Sequence, residues 1–207
     1  MKRSILITLC VLLMVGCTHL RRPDLPIVEL DYPAGLAVFT RSQWGSLALQ
    51  DTLPQHTINK ITIHHGGEDF PADKDPVQYL RNLQTWSRSA EKNWIDIPYH
   101  FMIDLDGRIY EARPINYPGA TNTSYDPTGH ALICVMGNYE NQVLSDQQLQ
   151  AVVDLTAFLV RLYGVDLDDI KGHKDYAETL CPGQDLYRYL EDGTIRTKVA
   201  EKLPASL

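Results

Sequence analysis

Two stretches of the chain show the clearest strand patterns, and they predict strands in different environments. Polar and apolar side chains alternate over residues 60–65 (KITIHH), which is typical of a strand with two distinct faces. The alternation places His64 and His65 on opposite faces, so only one of them can enter a given site. Residues 131–136 are almost continuously apolar, which predicts a central strand covered on both faces.

Helical spacing of apolar residues appears in three further stretches. Residues 77–90 carry apolar side chains three or four positions apart, and a longer helix begins after Ser145. Ser145 is placed to cap that helix, Gln148 occupies the capping-box position, and Gly164 ends it. Residues 187–203 have enough periodicity for one more short helix.

An Asp-Gly turn between the β-prone runs 99–103 and 108–113 indicates a hairpin. Strands interleaved with two long helices are typical of the α/β class. We therefore expect a single α/β domain, covering residues 37–207, with a central mixed β-sheet flanked by helices. No internal repeat or second domain is visible in the sequence.

The first residues resemble a bacterial export signal rather than part of a fold. Lys2 and Arg3 precede an apolar run over residues 5–15 that is too short to span a bilayer permanently. The run ends in MVGC at residues 14–17, which resembles the lipobox where cleavage before the cysteine exposes it to lipidation. A plain cleaved signal with an incidental cysteine is the alternative.

The lipobox resemblance implies an anchored protein. Residues 1–16 would be the lipoprotein signal peptide, Cys17 would carry the lipid, and the proline-containing residues 17–36 would form an extended tether. Thr18 stands where an Asp is linked to retention in the inner membrane. The resemblance therefore implies an outer-membrane lipoprotein facing the periplasm.

Composition places the remainder of the chain among ordinary globular proteins and limits its partners. The 207 residues are 44% hydrophobic and 22% charged. The formal net charge is −7, and loss of Lys2 and Arg3 with the signal changes it to −9. Nucleic acid is excluded as a partner, because phosphate binding needs clustered Lys and Arg.

Only two of the four cysteines are expected to lie in the folded domain. Cys10 leaves with the signal and Cys17 is the predicted anchor, so Cys134 and Cys181 remain. A disulfide between them is possible in an oxidising compartment and is the alternative to a metal role for Cys181. Cys134 lies in an apolar run, where a buried free thiol behaves as a small hydrophobe.

Candidate chemistry concentrates in residues 170–186 (IKGHKDYAETLCPGQDL), where His173 and Cys181 stand eight positions apart. His64 ends its strand at a Gly-Gly break. All three residues lie at strand ends or in loops, where active sites gather. Imidazole and thiolate are ligands that zinc prefers, and three protein ligands leave one coordination position open.

Seven short motifs follow one another along the chain: RSQWG (41–45), IHH (63–65), WIDIPYHF (94–101), DGRIYEAR (106–113), MGNY (136–139), GHKD (172–175) and TLCPG (179–183). With these motifs, the chain resembles the family of peptidoglycan recognition proteins and zinc-dependent N-acetylmuramoyl-L-alanine amidases. The resemblance covers roughly residues 41–190 and depends on the order of the motifs and the His-to-Cys spacing. It implies a peptidoglycan-recognition-protein-like fold, Zn²⁺ as cofactor, and peptidoglycan or muropeptides as partner.

The resemblance assigns roles residue by residue. His64, His173 and Cys181 match the zinc ligands, which implies hydrolysis of the amide between N-acetylmuramic acid and L-alanine, with zinc polarising the carbonyl and activating water. Tyr99 matches the tyrosine that these amidases place beside that water. Thr179 falls where members carry Lys or Thr, and since Thr cannot supply positive charge, the proton donor must lie elsewhere.

The resemblance also implies how substrate is bound. Arg113 matches the arginine that pairs with the extra carboxylate of diaminopimelate, which suits a bidentate contact. Asn93 and Trp94 form a hybrid of the dipeptides linked to the two stem-peptide types. Thr121 stands where many members have a histidine in the cleft. Together these residues favour diaminopimelate-type peptidoglycan.

Two other functions stay open on the sequence. Some family members bind peptidoglycan without cutting it, although those generally lack a zinc ligand. A thiol hydrolase using Cys181 as nucleophile and His173 as base is the second alternative. Against it, Pro182 and Gly183 predict a turn rather than a helix N-terminus directly after Cys181.

Overall fold

A computed structural model describes residues 27–204 and shows a mixed six-stranded sheet with helices. The strands are β1 (Val38–Phe39), β2 (Lys60–His65), β3 (Phe101–Ile103), β4 (Ile109–Glu111), β5 (His130–Val135) and β6 (Ile170–Gly172). The helices are α1 (Arg41–Trp44), α2 (Pro76–Ser87), α3 (Asp146–Tyr163), α4 (Gln184–Glu191) and α5 (Thr194–Lys202), with 3-10 turns at Leu167–Asp169 and His173–Asp175. The predicted α/β class and single domain are confirmed.

The sheet order is β1-β4-β3-β5-β2-β6, and only the β3–β4 hairpin is antiparallel. The Asp-Gly turn predicted this hairpin correctly. All six residues of β5 are buried, as its apolar run predicted, and β5 lies between β3 and β2. The parallel arrangement of β5, β2 and β6 brings their carboxyl ends to the same edge of the sheet.

Side-chain alternation along the strands divides the core between the two faces of the sheet. One face carries Ile61, Ile63 and Ile133 and packs against α3, α4 and α5. The other face carries Met102 and Cys134 and packs against α1, α2 and the loops that follow them. His64 shares the second face and lines a cleft there.

Helix ends follow the predicted caps where the sequence supplies them. Ser145 accepts a hydrogen bond from the Gln148 N–H at 3.2 Å and completes a capping box, and Gly164 ends α3 with φ of 67°. Residues 187–203 were predicted to hold one short helix, and this was wrong. Gly193, with φ of 80°, separates two helices, α4 and α5.

The N-terminal boundary of the domain also differs from the prediction. Residues 17–36 were predicted to be a tether, but residues 27–36 pack on the domain. The Tyr32 hydroxyl donates to Glu111 at 2.7 Å, its ring lies 5.2 Å from that of Phe158, and Leu36 is buried. These apolar contacts are too widely spaced to show a period, so the sequence pattern missed them.

The predicted signal peptide and Cys17 lie outside the described residues. Within residues 27–204, no helix is long and apolar enough to cross a bilayer. Cys134 and Cys181 are both free thiols, so no disulfide joins them in the structure.

Candidate metal centre

Strand register brings the two predicted histidine ligands together. Strands β2 and β6 are parallel neighbours, with Ile63 opposite Gly172. The next residue along the chain is a histidine in both cases, so His64 of β2 and His173, directly after β6, lie at the same edge of the sheet. Their ring centroids are 4.6 Å apart, and both residues are buried, with 2% and 7% of their surfaces exposed.

A tight turn presents Cys181 to this histidine pair. The Cys181 sulfur lies 3.6 Å from His64 Nδ1 and accepts a hydrogen bond from the His65 backbone N–H at 3.4 Å. The Cys181 carbonyl accepts from the Lys174 N–H at 2.9 Å, which ties the turn to the His173 segment. Donor atoms of His64, His173 and Cys181 all lie within 4.8 Å of one another.

Glycine is required at the base of this turn. Gly183 has φ of 88°, and a Cβ there would lie 2.5 Å from the carbonyl carbon of Tyr139. The predicted turn is present, and α4 begins immediately after it at Gln184. Asp175 supports the adjacent segment, since it accepts from the Gly172 N–H at 2.8 Å and from the Tyr187 hydroxyl at 2.6 Å.

Burial sets the protonation of the three donor groups. Burial, followed by the charge of His173, holds the pKa of His64 well below its usual value. Burial likewise lowers the pKa of His173 to about 4. Burial raises the pKa of the Cys181 thiol to about 12, although the His65 N–H favours the thiolate. At neutral pH the imidazoles are thus neutral and the thiol holds a proton.

The donor set fits zinc. Two neutral imidazoles and one sulfur are ligands that zinc prefers, and the three atoms are close enough to converge on one ion. A neutral imidazole binds metal without losing a proton, whereas the thiol must release one. The predicted ligands His64, His173 and Cys181 are therefore brought together, and the excluded His65 instead accepts a hydrogen bond from the Tyr139 N–H at 3.2 Å.

The metal-ligand cluster opens into a cleft of about 550 Å³, which also contains the predicted catalytic residues. The Tyr99 ring lies 5.1 Å from the His64 ring. Burial, followed by the charges of Cys134 and Cys181, holds the pKa of Tyr99 well above its usual value. Thr179 lines the same cleft, and its hydroxyl accepts from the Cys181 N–H at 3.2 Å.

Aromatic and cationic side chains form one wall of the cleft. Trp86 and Trp94 pack edge to face, with centroids 5.7 Å apart. The Lys74 ammonium, in the same wall, lies 4.6 Å from the Tyr79 centroid. Lys92 is not one of the lining residues, but its ammonium lies 4.8 Å from the Trp86 centroid. This wall offers apolar area and positive charge beside the metal ligands.

Comparison with known proteins identifies the family. The family model described as N-acetylmuramoyl-L-alanine amidase matches residues 54–184, more than half of the chain. The chain belongs to this amidase family. The matched residues include the three candidate ligands and Tyr99.

Relatives of this amidase-family chain include both recognition proteins and an amidase. Peptidoglycan recognition protein 1 of Bos taurus is 30% identical over 159 residues, covering 75% of this chain and 83% of that protein. Human N-acetylmuramoyl-L-alanine amidase is 25% identical over 175 residues, covering 82% of this chain and 30% of that protein.

The solved structures include wild-type Drosophila PGRP-LB, with a TM-score of 0.66 and 27% identity over 74% of this chain and 92% of that one. A PGRP-LB mutant in complex with tracheal cytotoxin has a TM-score of 0.66 and 26% identity, with the same coverage. The predicted peptidoglycan-recognition-protein-like fold is confirmed.

Arg113 of the amidase domain does not line the cleft, which corrects its predicted contact with substrate. It is 2% exposed, and its guanidinium donates to the carbonyls of Ile97 at 2.7 Å, Pro118 at 2.6 Å and Asp96 at 2.8 Å. Burial lowers its pKa to about 10. Arg113 instead borders a separate depression of about 610 Å³ beside residues 27–32.

The other predicted substrate contacts divide between the cleft and its surroundings. Trp94 and Thr121 line the cleft, as predicted. Asn93 does not line it, and its role as a binding residue stays a prediction. It occupies a left-handed turn position with φ of 50°, which Asn tolerates better than most residues, and its N–H donates to the Ser89 carbonyl at 2.8 Å.

Two hydroxyl groups in the loop before β5 contact the histidines of the site and were not predicted from the sequence. The Thr123 hydroxyl lies 2.8 Å from His173 Nε2, and the Tyr125 hydroxyl lies 3.4 Å from His64 Nε2. A polar loop rich in Thr and Ser gives no periodic signal, so only the three-dimensional structure reveals which of its hydroxyls meet the metal-ligand cluster.

Proposed function

We propose that this protein is a zinc-dependent N-acetylmuramoyl-L-alanine amidase, which hydrolyses the amide bond between N-acetylmuramic acid and L-alanine. The observation that carries the proposal is the convergence of the His64, His173 and Cys181 donor atoms within 4.8 Å in the cleft of an amidase-family domain. Three ligands of this kind suit a catalytic zinc site with one open position.

Zn²⁺ held by these side chains would supply a Lewis acid that polarises the amide carbonyl and lowers the pKa of water. Tyr99 supports the reaction from beside His64. Because its pKa is held above the usual value, its phenol is protonated at neutral pH and donates a hydrogen bond to the carbonyl oxygen as negative charge develops there. Thr179 holds the Cys181 turn through the Cys181 N–H.

The substrate class that we propose is peptidoglycan or its released muropeptides, with diaminopimelate-type stem peptides favoured. The PGRP-LB mutant that binds tracheal cytotoxin supports a muropeptide ligand for this cleft. With Arg113 buried, positive charge for stem-peptide carboxylates comes from Lys74 and Lys92 along the aromatic wall. Trp86 and Trp94 add a large apolar area beside these cations.

We also propose that Cys17 is lipidated and anchors the domain to the outer membrane, facing the periplasm. The basic start and short apolar run before Cys17 support this proposal. Fatty-acid labelling of the full chain in a bacterial host, compared with Cys17→Ser, tests it. Labelling of Cys17→Ser at the wild-type level would refute it, as would fractionation of the wild type with soluble periplasmic proteins.

The test of the reaction is mass spectrometry of defined muropeptides after incubation with the zinc-loaded protein. Release of a stem peptide with a free L-alanine amino terminus, beside an intact glycan, is expected. Matched substrates with diaminopimelate or lysine in the stem measure the stem-peptide preference. Binding without cleavage would instead support a recognition module, which is the function that the name of the Bos taurus relative describes.

A chelator separates the metal mechanism from a thiol hydrolase. Burial raises the pKa of Cys181 to about 12, so the thiol is a poor nucleophile at neutral pH without metal. Zinc removal is expected to abolish cleavage, and added zinc is expected to restore it. Full activity after chelation, combined with loss of activity after thiol alkylation, would refute the zinc proposal.

A further inference from the structure

The loop between Gly119 and Gly129 contacts the metal-ligand cluster on the side away from Cys181. His64 Nδ1 faces the Cys181 sulfur at 3.6 Å, which leaves His64 Nε2 on the other side of the ring, 3.4 Å from the Tyr125 hydroxyl. His173 repeats the arrangement, because its Nε2 lies 2.8 Å from the Thr123 hydroxyl. Both histidines thus present the same ring nitrogen to this loop.

A second hydroxyl, that of Thr121, can take the proton of the Thr123 hydroxyl. The hydroxyls of Thr123 and Thr121 are 2.8 Å apart, and Thr121 Oγ1 also accepts the Thr123 N–H at 3.0 Å. If Thr123 donates its single hydroxyl proton to Thr121, its oxygen is free to accept a proton from His173 Nε2. The hydrogen bonds then run from His173 to Thr123 and from Thr123 to Thr121, which lines the cleft.

The loop is fixed by contacts of its own. The Tyr125 ring packs against the rings of His173 at 5.1 Å, His130 at 5.4 Å and Tyr176 at 5.7 Å. His130 is held in turn by a 2.8 Å hydrogen bond with the Thr62 hydroxyl. Aromatic packing therefore places the Tyr125 hydroxyl, and the hydrogen bonds with Thr121 place the Thr123 hydroxyl.

We propose that Thr123 and Tyr125 are positioning residues that hold the proton of each ligand imidazole on Nε2, leaving Nδ1 of His64 and His173 to bind the metal. The inference rests on the proposed zinc function. Metal-binding histidines commonly donate their second ring N–H to a fixed partner, and loss of that partner typically weakens metal binding about 10- to 100-fold. Here two hydroxyls of one loop serve both histidines.

The first experiment measures zinc affinity by competition with a chromogenic chelator. Thr123→Val, which keeps the side-chain shape but removes the hydroxyl, is expected to weaken binding about 10- to 100-fold. Thr123→Ser is expected to restore affinity close to that of the wild type. Tyr125→Phe should show a smaller loss, because its contact is longer. Ser124→Ala, at an exposed position between them, is the matched control and should bind like the wild type.

The second experiment observes the imidazole nitrogens of the metal-free wild-type protein by long-range ¹H–¹⁵N NMR. We expect His64 and His173 to carry their protons on Nε2. A proton on Nδ1 of His173, or wild-type zinc affinity in Thr123→Val, would overturn the inference. The same would follow if Thr123→Ser were as weak as Thr123→Val. Failure of the wild type to bind zinc would instead refute the proposed function, and the NMR measurement would still test the tautomers.

Discussion

Two groups of buried polar side chains lie in this domain, and they differ in what their polar atoms contact. In the metal-ligand cluster, donor atoms of His64, His173 and Cys181 face one another within 4.8 Å. In the second group, Arg113 donates to three backbone carbonyls, and Arg41 pairs with the Asp96 carboxylate at 2.7 Å. The first group has donor atoms that lie close to one another, and the second has guanidinium groups bonded to protein oxygens.

This difference separates a reactive site from a structural one. Burying polar groups is costly unless they find partners, so buried donors that converge on a common point indicate a ligand. Residue type alone does not make the distinction, because histidine and arginine each occur in either role. The four predictions below test the contrast, beginning with the change expected to have the largest effect on cleavage.

Loss of a metal ligand should have the largest effect. Cys181→Ser is expected to abolish detectable muropeptide cleavage and to weaken zinc binding by more than about 100-fold, beyond the loss typical of an outer-shell partner. Metal analysis after dialysis and mass spectrometry of the products measure both effects. Cys134→Ser would be a poor control because that thiol is buried in the core, so Ser124→Ala serves instead. Zinc retained at the wild-type level in Cys181→Ser would remove Cys181 from the ligand set.

Removal of the phenol should have the next largest effect. Tyr99→Phe keeps the ring beside His64 but removes the proposed donor to the developing oxyanion, so cleavage should slow about 100-fold. Zinc affinity should stay at the wild-type level, because Tyr99 is not one of the ligands. Single-turnover rates and chelator competition test the two expectations separately. Unchanged cleavage by Tyr99→Phe would assign Tyr99 to packing alone.

Zinc affinity should depend on pH through Cys181. Burial lowers the pKa of His173 to about 4 and holds that of His64 well below its usual value, so both imidazoles are neutral near pH 7. The pKa of Cys181, raised to about 12, keeps its thiol protonated there. Zinc binding near neutrality therefore displaces one proton, and affinity should rise about tenfold for each pH unit between roughly pH 6.5 and 8.5.

Calorimetry in buffers of different ionisation enthalpy checks this prediction directly. Release of about one proton for each zinc bound is expected across the same range. Proton release near zero would mean that the thiolate already exists in the metal-free protein. The Cys181 thiol would then not be protonated at neutral pH, contrary to its raised pKa.

Much of the fold could be predicted from local pattern. The alternation in β2, the apolar run of β5, and the caps of α3 at Ser145 and Gly164 each follow from nearby residues. The packing of residues 27–36 could not, because Tyr32 and Leu36 find their partners far along the chain. The division of residues 184–202 into two helices depended on a single glycine.

The candidate site, like the fold, was predicted only in part from the sequence. Strand parity showed that only one of His64 and His65 could enter the site, and residue type and spacing pointed to His173 and Cys181. The family resemblance then identified His64. None of these could reveal that His100 is a core residue whose ring contacts the Tyr117 carbonyl and the Leu132 N–H at 2.9 and 2.8 Å. The hydrogen-bond partners of Arg113 and Thr123 likewise depend on how separate segments pack together, which no local sequence pattern encodes.

Arg113 gives the prediction with the smallest expected effect on cleavage. Arg113→Met removes the guanidinium and leaves the carbonyls of Asp96, Ile97 and Pro118 without this donor, so it should lower the free energy of unfolding by about 3 kcal/mol. For a domain of this size the melting temperature should fall by roughly 6–12 °C. Arg108→Met is the matched control. It removes the same charge from the same hairpin at a side chain that is 53% exposed, so it should lower the melting temperature much less than Arg113→Met.

At a temperature where the Arg113→Met variant is fully folded, its zinc affinity and its cleavage of diaminopimelate and lysine muropeptides should equal those of the wild type. Arg113 does not line the cleft, so the ratio of the two cleavage rates should not change. A selective loss of diaminopimelate cleavage with stability unchanged would show that the guanidinium leaves its carbonyls to contact substrate. The two polar groups would then both be functional, and burial with satisfied hydrogen bonds would no longer distinguish them.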